Sequence, residues 1–188
     1  ILVLKNNKGT EDNRVRKLDY SIQLNKLMYE RLLTQGDITL FSPHRVPGLY
    51  EAFFDDQDKF KELYEKYEKD PSIKKKTLPA MQLFSALIKE RAETGRIYIM
   101  NVDHANTHSS FKDTVYMSNL CQEITLPTKP LQHIDDPDGE IALCILSAIN
   151  VGTIKELDDL SELCDLAVRA LDEIIDYQKY PIKAAEIS

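Results

Sequence analysis

The sequence has no tryptophan, only three cysteines and only six glycines in 188 residues, and each scarcity excludes something. Cys121, Cys144 and Cys164 lie too far apart for a CxxC redox or zinc pair, and an odd count cannot make a purely structural disulfide framework. Free thiols are the expectation, and any bridge would be transient and functional. Lys and Arg are nowhere clustered with interleaved aromatics, and the net charge of −7 repels polyanions, which argues against nucleic acid as a partner. The densest basic run, Lys74-Lys75-Lys76, stands between acidic stretches and reads as a solvated helix end. Apolar runs such as Ile1 to Leu4 and Ile141 to Ile149 are far shorter than the roughly 20 residues that span a bilayer, so no membrane segment is expected. The apolar opening breaks at Lys5-Asn6-Asn7-Lys8 with no cleavage pattern, which points to a reducing, cytoplasmic setting. Internal repeats and low-complexity stretches are also missing.

What is present fits one ordinary domain's worth of chain, with 43% hydrophobic residues and enough length to bury a core. Ile1-Leu2-Val3-Leu4 reads as a strand, followed by a polar turn around Gly9. Asp19 is the expected N-cap of a helix running to about residue 35, with Ile22, Leu24, Leu27, Met28 and Leu32 as its stripe and Gly36 as its stop. Pro43 and Pro47 make residues 37–48 a loop. Helices are expected over Gln57–Asp70, closed by Pro71, and over Pro79–Thr94, closed by Gly95. Arg96–Asn101 reads as a strand that runs into a polar segment, Val102 to Lys112.

Residues 113–140 lack helical periodicity, contain Pro127, Pro130 and Pro137, and read as a long ordered loop of the kind that usually carries function. Glu140–Asn150 is nearly all apolar, as for a strand buried on both faces. A last helix, about 157–178, places Leu160, Leu163, Cys164, Ala167, Val168, Leu171, Ile174 and Ile175 on one stripe, so Cys164 reads as a core thiol. The chain opens without Met and stops without a recognisable closing element, and it reads as a piece, either cut from a longer protein or encoded in parts.

Chemistry concentrates in Ser118-Asn119-Leu120-Cys121-Gln122-Glu123-Ile124, where an amide, a thiol and a carboxylate occupy alternate positions. On an extended backbone the three face one way. An amide can grip a diol, a carboxylate can take a proton and a sulfur can meet a reacting carbon. Spacing alone does not distinguish such a thiol from an inert one. His104 and His108 stand four apart beside Asp103, but the segment lacks helical periodicity, and no metal site is assigned there. Asp135-Asp136-Pro137-Asp138-Gly139 lacks the EF-hand pattern and reads as a solvated turn. A cysteine hydrolase built on Cys121 has no matching Cys/His context.

The text around Cys121 resembles the active-site region of the class I (aerobic) ribonucleotide reductase large subunit. The resemblance rests on Ser118-Asn119-Leu120-Cys121, Glu123-Ile124, Leu126-Pro127-Thr128 and Gly139-Glu140-Ile141-Ala142-Leu143-Cys144 with Leu146-Ser147-Ala148. Leu2-Val3-Leu4-Lys5-Asn6-Asn7, Asn13-Arg14-Val15-Arg16, Asn25-Lys26-Leu27-Met28-Tyr29, Leu40-Phe41-Ser42-Pro43, Val46-Pro47-Gly48-Leu49-Tyr50, Arg96-Ile97-Tyr98 and Asn101-Val102-Asp103-His104 extend it, in the same order, over essentially the whole chain.

The resemblance implies a helix-rich α/β chain, part of a ten-stranded barrel of two half-barrels with a finger loop between them, here at about 102–139. Residues 1–188 would be a central segment of that barrel domain and not a complete domain. Cys121 would be the transient thiyl radical that takes the ribose 3′ hydrogen of a ribonucleoside diphosphate, giving 2′-deoxyribonucleotides for DNA synthesis. Glu123 would be the general base on the 3′-OH, and Asn119 would bond the ribose hydroxyls. Ser118 and Leu120 would also line the substrate. Cys144 would be one half of the redox-active cysteine pair, its mate lying upstream of residue 1.

The same resemblance implies partners: other segments of the large subunit, a small radical-generating subunit carrying a dinuclear-metal cofactor, and thioredoxin or glutaredoxin as reductant. No metal is expected on this chain. The family's effector loops, radical-relaying tyrosines and C-terminal cysteine pair have no counterpart in these residues, so the chain alone is expected to be inactive. The competing reading is a non-catalytic helical interaction module derived from this family, in which Cys121 is an ordinary thiol.

Overall fold

A computed structural model describes Thr10, Val15 and residues 18–188. The strand expected at Ile1–Leu4, the turn around Gly9, and the Asn6-Asn7 and Asn13-Arg14 matches lie outside the described residues. The chain divides into two compact units, residues 1–127 and 128–188.

In the first unit, β1 (Tyr20–Leu24) pairs in parallel with β4 (Ile97–Asn101), Tyr20 opposite Ile97 through Leu24 opposite Asn101. β2 (Asp37–Phe41) pairs antiparallel with β3 (Lys75–Pro79). Between them run α1 (Lys26–Leu33), α2 (Leu49–Asp55), α3 (Gln57–Lys69) and α4 (Ala80–Thr94), and α5 (Val102–Thr107) follows β4 directly. The helices expected at 57–70 and 79–94 and the strand at 96–101 are all present. Gly95 closes α4 at φ +66, in the left-handed region that only glycine enters without cost.

The helix expected from Asp19 is instead a strand and then a helix. Tyr20, Ile22 and Leu24 alternate with Ser21 and Gln23, which satisfies a period of two as well as a helical stripe, and β4 supplies the ladder that decides between them. The helix starts after Asn25, whose side chain bonds Gln57 Oε1 at 2.9 Å and leaves α1 uncapped from within. Asp103 supplies the missing cap from α5, its Oδ2 accepting from the Lys26 amide at 2.8 Å. A carboxylate there also faces the positive end of the helix dipole. At the other end Gln35, not Gly36, takes the positive φ of 54°, and the Gly36 amide bonds back to Arg31 O at 2.7 Å.

Residues 37–48, expected as loop, hold β2 and a short 3-10 turn at Pro43–Arg45. Ile38 and Leu40 show little pattern alone, and the partner strand lies more than thirty residues downstream. That partner contains two of the three lysines read as a helix end. Lys75 turns its ammonium back onto the C-terminus of α3, donating to Tyr67 O at 3.1 Å, to Asp70 O at 2.6 Å and to Glu68 O. One cation thus meets three carbonyls and the negative end of the helix dipole.

The main apolar cluster joins Leu27, Val46, Leu49, Ala52, Phe60, Tyr64 and Ile73. Tyr64 both accepts from the Thr39 amide at 2.6 Å and donates to its carbonyl at 2.7 Å, and burial pushes its phenol up to about 12. A second cluster, Phe54, Met100, Val102 and Val115, lies where β4 passes into α5. Leu87 and Ile97 are completely buried. Leu87→Ala is expected to cost about 2–5 kcal/mol, read as a lower urea midpoint; a loss under about 0.5 kcal/mol would mean that Leu87 is not core.

In the second unit, Lys129 and Glu140 form an antiparallel bridge closed by two backbone bonds of 3.2 and 3.1 Å and an ion pair between their side chains. The acidic turn between them is not wholly solvated. Asp136 is buried, and its carboxylate accepts from the Gln132 and Asp138 amides at 2.8 and 2.9 Å, which hold it below the usual carboxylate range. A Cβ at Gly139 would come 2.7 Å from Leu131 Cγ, so a larger residue there would force Leu131 to shift.

The expected strand at 140–150 does not form beyond Glu140, and Leu143, Cys144 and Leu146 are exposed. A strand needs partners for its amides and carbonyls, and among the described residues none pairs with 141–150. The last helix is present as α6 (Asp159–Tyr177), followed by α7 (Lys183–Ile187). None of α6 is buried, so Cys164, expected in a core, is exposed. Periodicity marks a face able to be buried, and among the described residues that face is only half-covered, at Leu160, Ala167 and Leu171. Among the described residues no helix is long and apolar enough to cross a membrane.

Candidate functional site

The long segment after β4 is held by strand and helix side chains at its base. Asn106, on α5, accepts from the Val115 amide at 2.8 Å and donates to its carbonyl at 3.1 Å, stitching the loop to the helix as a strand partner would. Val115 is fully buried beside Phe54, and the Tyr116 ring meets Phe54 edge-on at 5.0 Å. Gln23 of β1 donates to Tyr116 O at 2.6 Å, and Thr114 donates to Asp55 at 2.8 Å. This accounts for an ordered loop from a stretch with no periodicity: its backbone groups are met by side chains.

The tip of the loop is a turn, not the extended backbone on which alternate residues would face one way. The Gln122 amide donates to Asn119 O at 3.2 Å, the Asn119 amide to Ile124 O at 3.3 Å, and the Ile124 amide to Asn119 Oδ1 at 3.0 Å. Ser118 Oγ donates to Asn119 O at 3.0 Å. Asn119 thus closes the turn with its backbone and its amide oxygen, which leaves the Nδ2 hydrogens as the end able to meet a hydroxyl. Gln122 sits at φ +65, a left-handed geometry that costs a residue with a Cβ roughly 1–2 kcal/mol. Such strain persists where the surroundings over-determine it.

At this tip Cys121 and Glu123 are exposed, Leu120 is exposed, and Ser118 and Asn119 are half-buried. The amide, thiol and carboxylate therefore sit on a turn within five consecutive residues. Cys121 Sγ stands 4.0 Å from the phenol of Tyr98 on β4. The contact with Cys121, first by hydrogen bonding and then by charge, pushes the Tyr98 phenol up. Gln122 Nε2 donates to Ser21 Oγ at 3.0 Å, and Ser21 is the register partner of Tyr98. Adjacent tip residues therefore rest on paired strand residues.

Ser21, Gln23 and Asn106 carry no motif, and Tyr98, though it ends the matched Arg96-Ile97-Tyr98, was assigned no role. The signal for two of them was available in the alternation of β1, where Ser21 and Gln23 interrupt Tyr20, Ile22 and Leu24, but nothing in it says that a loop a hundred residues later will sit there. Cys144 lies in the second unit, exposed, and all three cysteines are free thiols.

The segment of His104 and His108 is helical, contrary to the expectation: α5 runs through Thr107 with His108 as its cap, and the two rings stand 6.0 Å apart edge-on. Asp103 is engaged by the Lys26 and His104 amides. Among the described residues no group of three His, Cys, Asp or Glu is placed to hold a metal ion.

A family model described as ribonucleotide reductase, barrel domain, matches residues 1–188. The chain is 66% identical over 191 residues to a ribonucleoside-diphosphate reductase subunit alpha of Haemophilus influenzae, and 63% identical over 189 residues to a ribonucleoside-diphosphate reductase 1 subunit alpha of Escherichia coli. It is 33% identical over 196 residues to the ribonucleoside-diphosphate reductase large chain of Neurospora crassa. These alignments cover 100%, 99% and 100% of the chain but 25%, 25% and 20% of the relatives. The chain spans about a quarter or less of the length of the relatives it matches.

Proposed function

The chain belongs to the ribonucleotide reductase barrel-domain family, and from that premise we propose that it carries the reacting tip of a catalytic subunit that reduces ribonucleoside diphosphates to 2′-deoxyribonucleoside diphosphates. One observation carries this reading: Cys121 is exposed on a pre-closed turn between Asn119 and Glu123, borne on a parallel strand pair. Residues 1–188 act as a central segment of the barrel domain, with residues 102–139 as its finger.

In the proposed cycle the Cys121 thiyl takes the hydrogen atom from ribose C3′, becoming the thiol and leaving a carbon radical. Glu123 accepts the 3′-OH proton, and the Asn119 Nδ2 group donates to the ribose hydroxyls while Ser118 and Leu120 shape the pocket. The 2′-OH leaves as water, taking a proton from a cysteine pair made of Cys144 and a mate from elsewhere in the subunit. The other cysteine of the pair gives its hydrogen atom to C2′, the pair closes to a disulfide as the second electron passes to the C3′ ketone, and Glu123 returns its proton to O3′. The Cys121 S–H then returns its hydrogen to C3′, which regenerates the thiyl and completes the balance.

A dinuclear-metal cofactor on a separate small subunit supplies the oxidising equivalent that makes the thiyl, and no residue of this chain is assigned to hold it. Thioredoxin or glutaredoxin reopens the disulfide by exchange. The test is Cys144→Ser in the assembled reductase with the small subunit. Steady-state formation of deoxyribonucleotide should fall by more than about a hundredfold, as for one member of a unit that acts together. Turnover unchanged with thioredoxin as reductant would remove Cys144 from the redox pair.

A further inference from the structure

A thiol exposed at a loop tip can swing about its Cα–Cβ bond, so the position of the turn does not by itself fix the direction of the sulfur. Something outside the turn must do so if the sulfur is to meet one carbon atom. The described side chain that reaches it is Tyr98, whose phenolic oxygen stands 4.0 Å from Cys121 Sγ.

Tyr98 is well placed for this. It lies in the middle of β4, between Ile97, which is fully buried, and Ile99, and it is paired in register with Ser21 of β1. Ser21 in turn receives Gln122 Nε2 at 3.0 Å. The two strand residues thus form a two-point seat for consecutive tip residues, one point on the sulfur and one on the strained Gln122. A strand in a ladder moves little, so the seat is rigid where the loop is not. A phenol can donate to sulfur or accept from S–H, so the contact serves the thiol before and after it gives up its hydrogen.

We infer that Tyr98 is a positioning residue for Cys121, holding the sulfur through its phenolic oxygen in the direction from which it meets the substrate. The inference rests on the radical role proposed for Cys121 and extends it to a residue on the barrel strand. The raised phenol of Tyr98, which owes most to the Cys121 contact, agrees with this geometry.

The test uses the assembled reductase with three variants assayed in parallel on substrate carrying deuterium at C3′. Tyr98→Phe keeps the ring and removes the contact atom. Its kcat should fall by about tenfold, the scale of one lost hydrogen bond expressed in the transition state, with KM unchanged. The isotope effect on kcat should rise, because hydrogen transfer becomes the slower step. Incorporation of 3-fluorotyrosine at position 98 restores the hydroxyl and should restore kcat. Cys121→Ser should be inactive.

An inactive Cys121→Ser beside a Tyr98→Phe with unchanged kcat and isotope effect overturns the inference and leaves the role of Cys121 standing. A Tyr98→Phe that only raises KM or lowers the unfolding midpoint, with no change in isotope effect, also overturns it, because the role is then structural. Activity retained in Cys121→Ser removes the underlying assignment, and the inference falls with it.

Discussion

Replacing Cys121 by serine is expected to abolish deoxyribonucleotide formation in the assembled reductase, by at least about three orders of magnitude. The substitution is nearly isosteric and the side chain is exposed, so the fold should tolerate it within about 0.5 kcal/mol. What changes is the chemistry. An O–H bond is stronger than an S–H bond, so a serine hydroxyl neither yields a radical to the same oxidant nor gives its hydrogen back readily to C3′. Cys164→Ser is the control: that thiol is exposed on α6, outside any proposed step, and full activity is expected. The measurement is turnover of a ribonucleoside diphosphate with the small subunit and a dithiol reductant. Retained turnover in Cys121→Ser would favour the non-catalytic helical module, for which the exposed part of the α6 stripe would then be the working surface.

Glu123→Gln should be the next most damaging change, lowering kcat by about 10²–10⁴, the usual range for removal of a general base. The amide keeps the shape and hydrogen-bonding reach of the carboxylate but cannot take the 3′-OH proton. KM should move little, because the side chain loses a proton-accepting role and not a contact. Glu123 is exposed at the tip, and the turn is closed by Asn119, Gln122 and Ile124 without it, so the unfolding midpoint should be unchanged. A variant with wild-type kcat would place the base elsewhere. A variant with a raised KM and normal kcat would make Glu123 a binding group.

Local signals written in consecutive residues were legible. α3 and α4 carry their own punctuation, Asp56 as a cap accepting from the Lys59 amide at 2.9 Å, Pro71 beyond one end and Gly95 at the other. β4 is a short apolar run before a polar segment. The absence of periodicity after residue 113 marked a long loop, and the loop is there. Where reading failed, two patterns coincided or a partner was distant. Tyr20–Leu24 satisfies both strand and helix periods, and only β4 decides. Lys75 looks like a solvated charge until the C-terminus of α3 lies beneath it.

The candidate site divides in the same way. Identity and order were in the text: Asn119, Cys121 and Glu123 can be named, with chemical capacities, from residue type and neighbourhood. Their arrangement was not. Alternation suggested an extended segment, whereas the side-chain oxygen of Asn119 bonds the Ile124 amide and bends it into a turn with Gln122 at positive φ. The expected burial of residues 141–150 and of the α6 stripe follows from hydrophobicity, which states a tendency to leave water but not the surface that receives it.

The sequence by itself determined the family, the order of the candidate residues Asn119, Cys121 and Glu123, the helices α3 and α4 and the lack of a clustered basic run with interleaved aromatics, because each of these is encoded by residue type or by contacts within one turn of chain. Only the tertiary structure decided that β1 is a strand, that Asp103 caps α1, that Lys75 caps α3, and that Tyr98 and Ser21 seat the tip beside Cys121. Those are pairings between residues tens of positions apart. Their free energy appears only after the chain has met the entropic cost of closing the loops between them, and no local pattern records which distant group will be there.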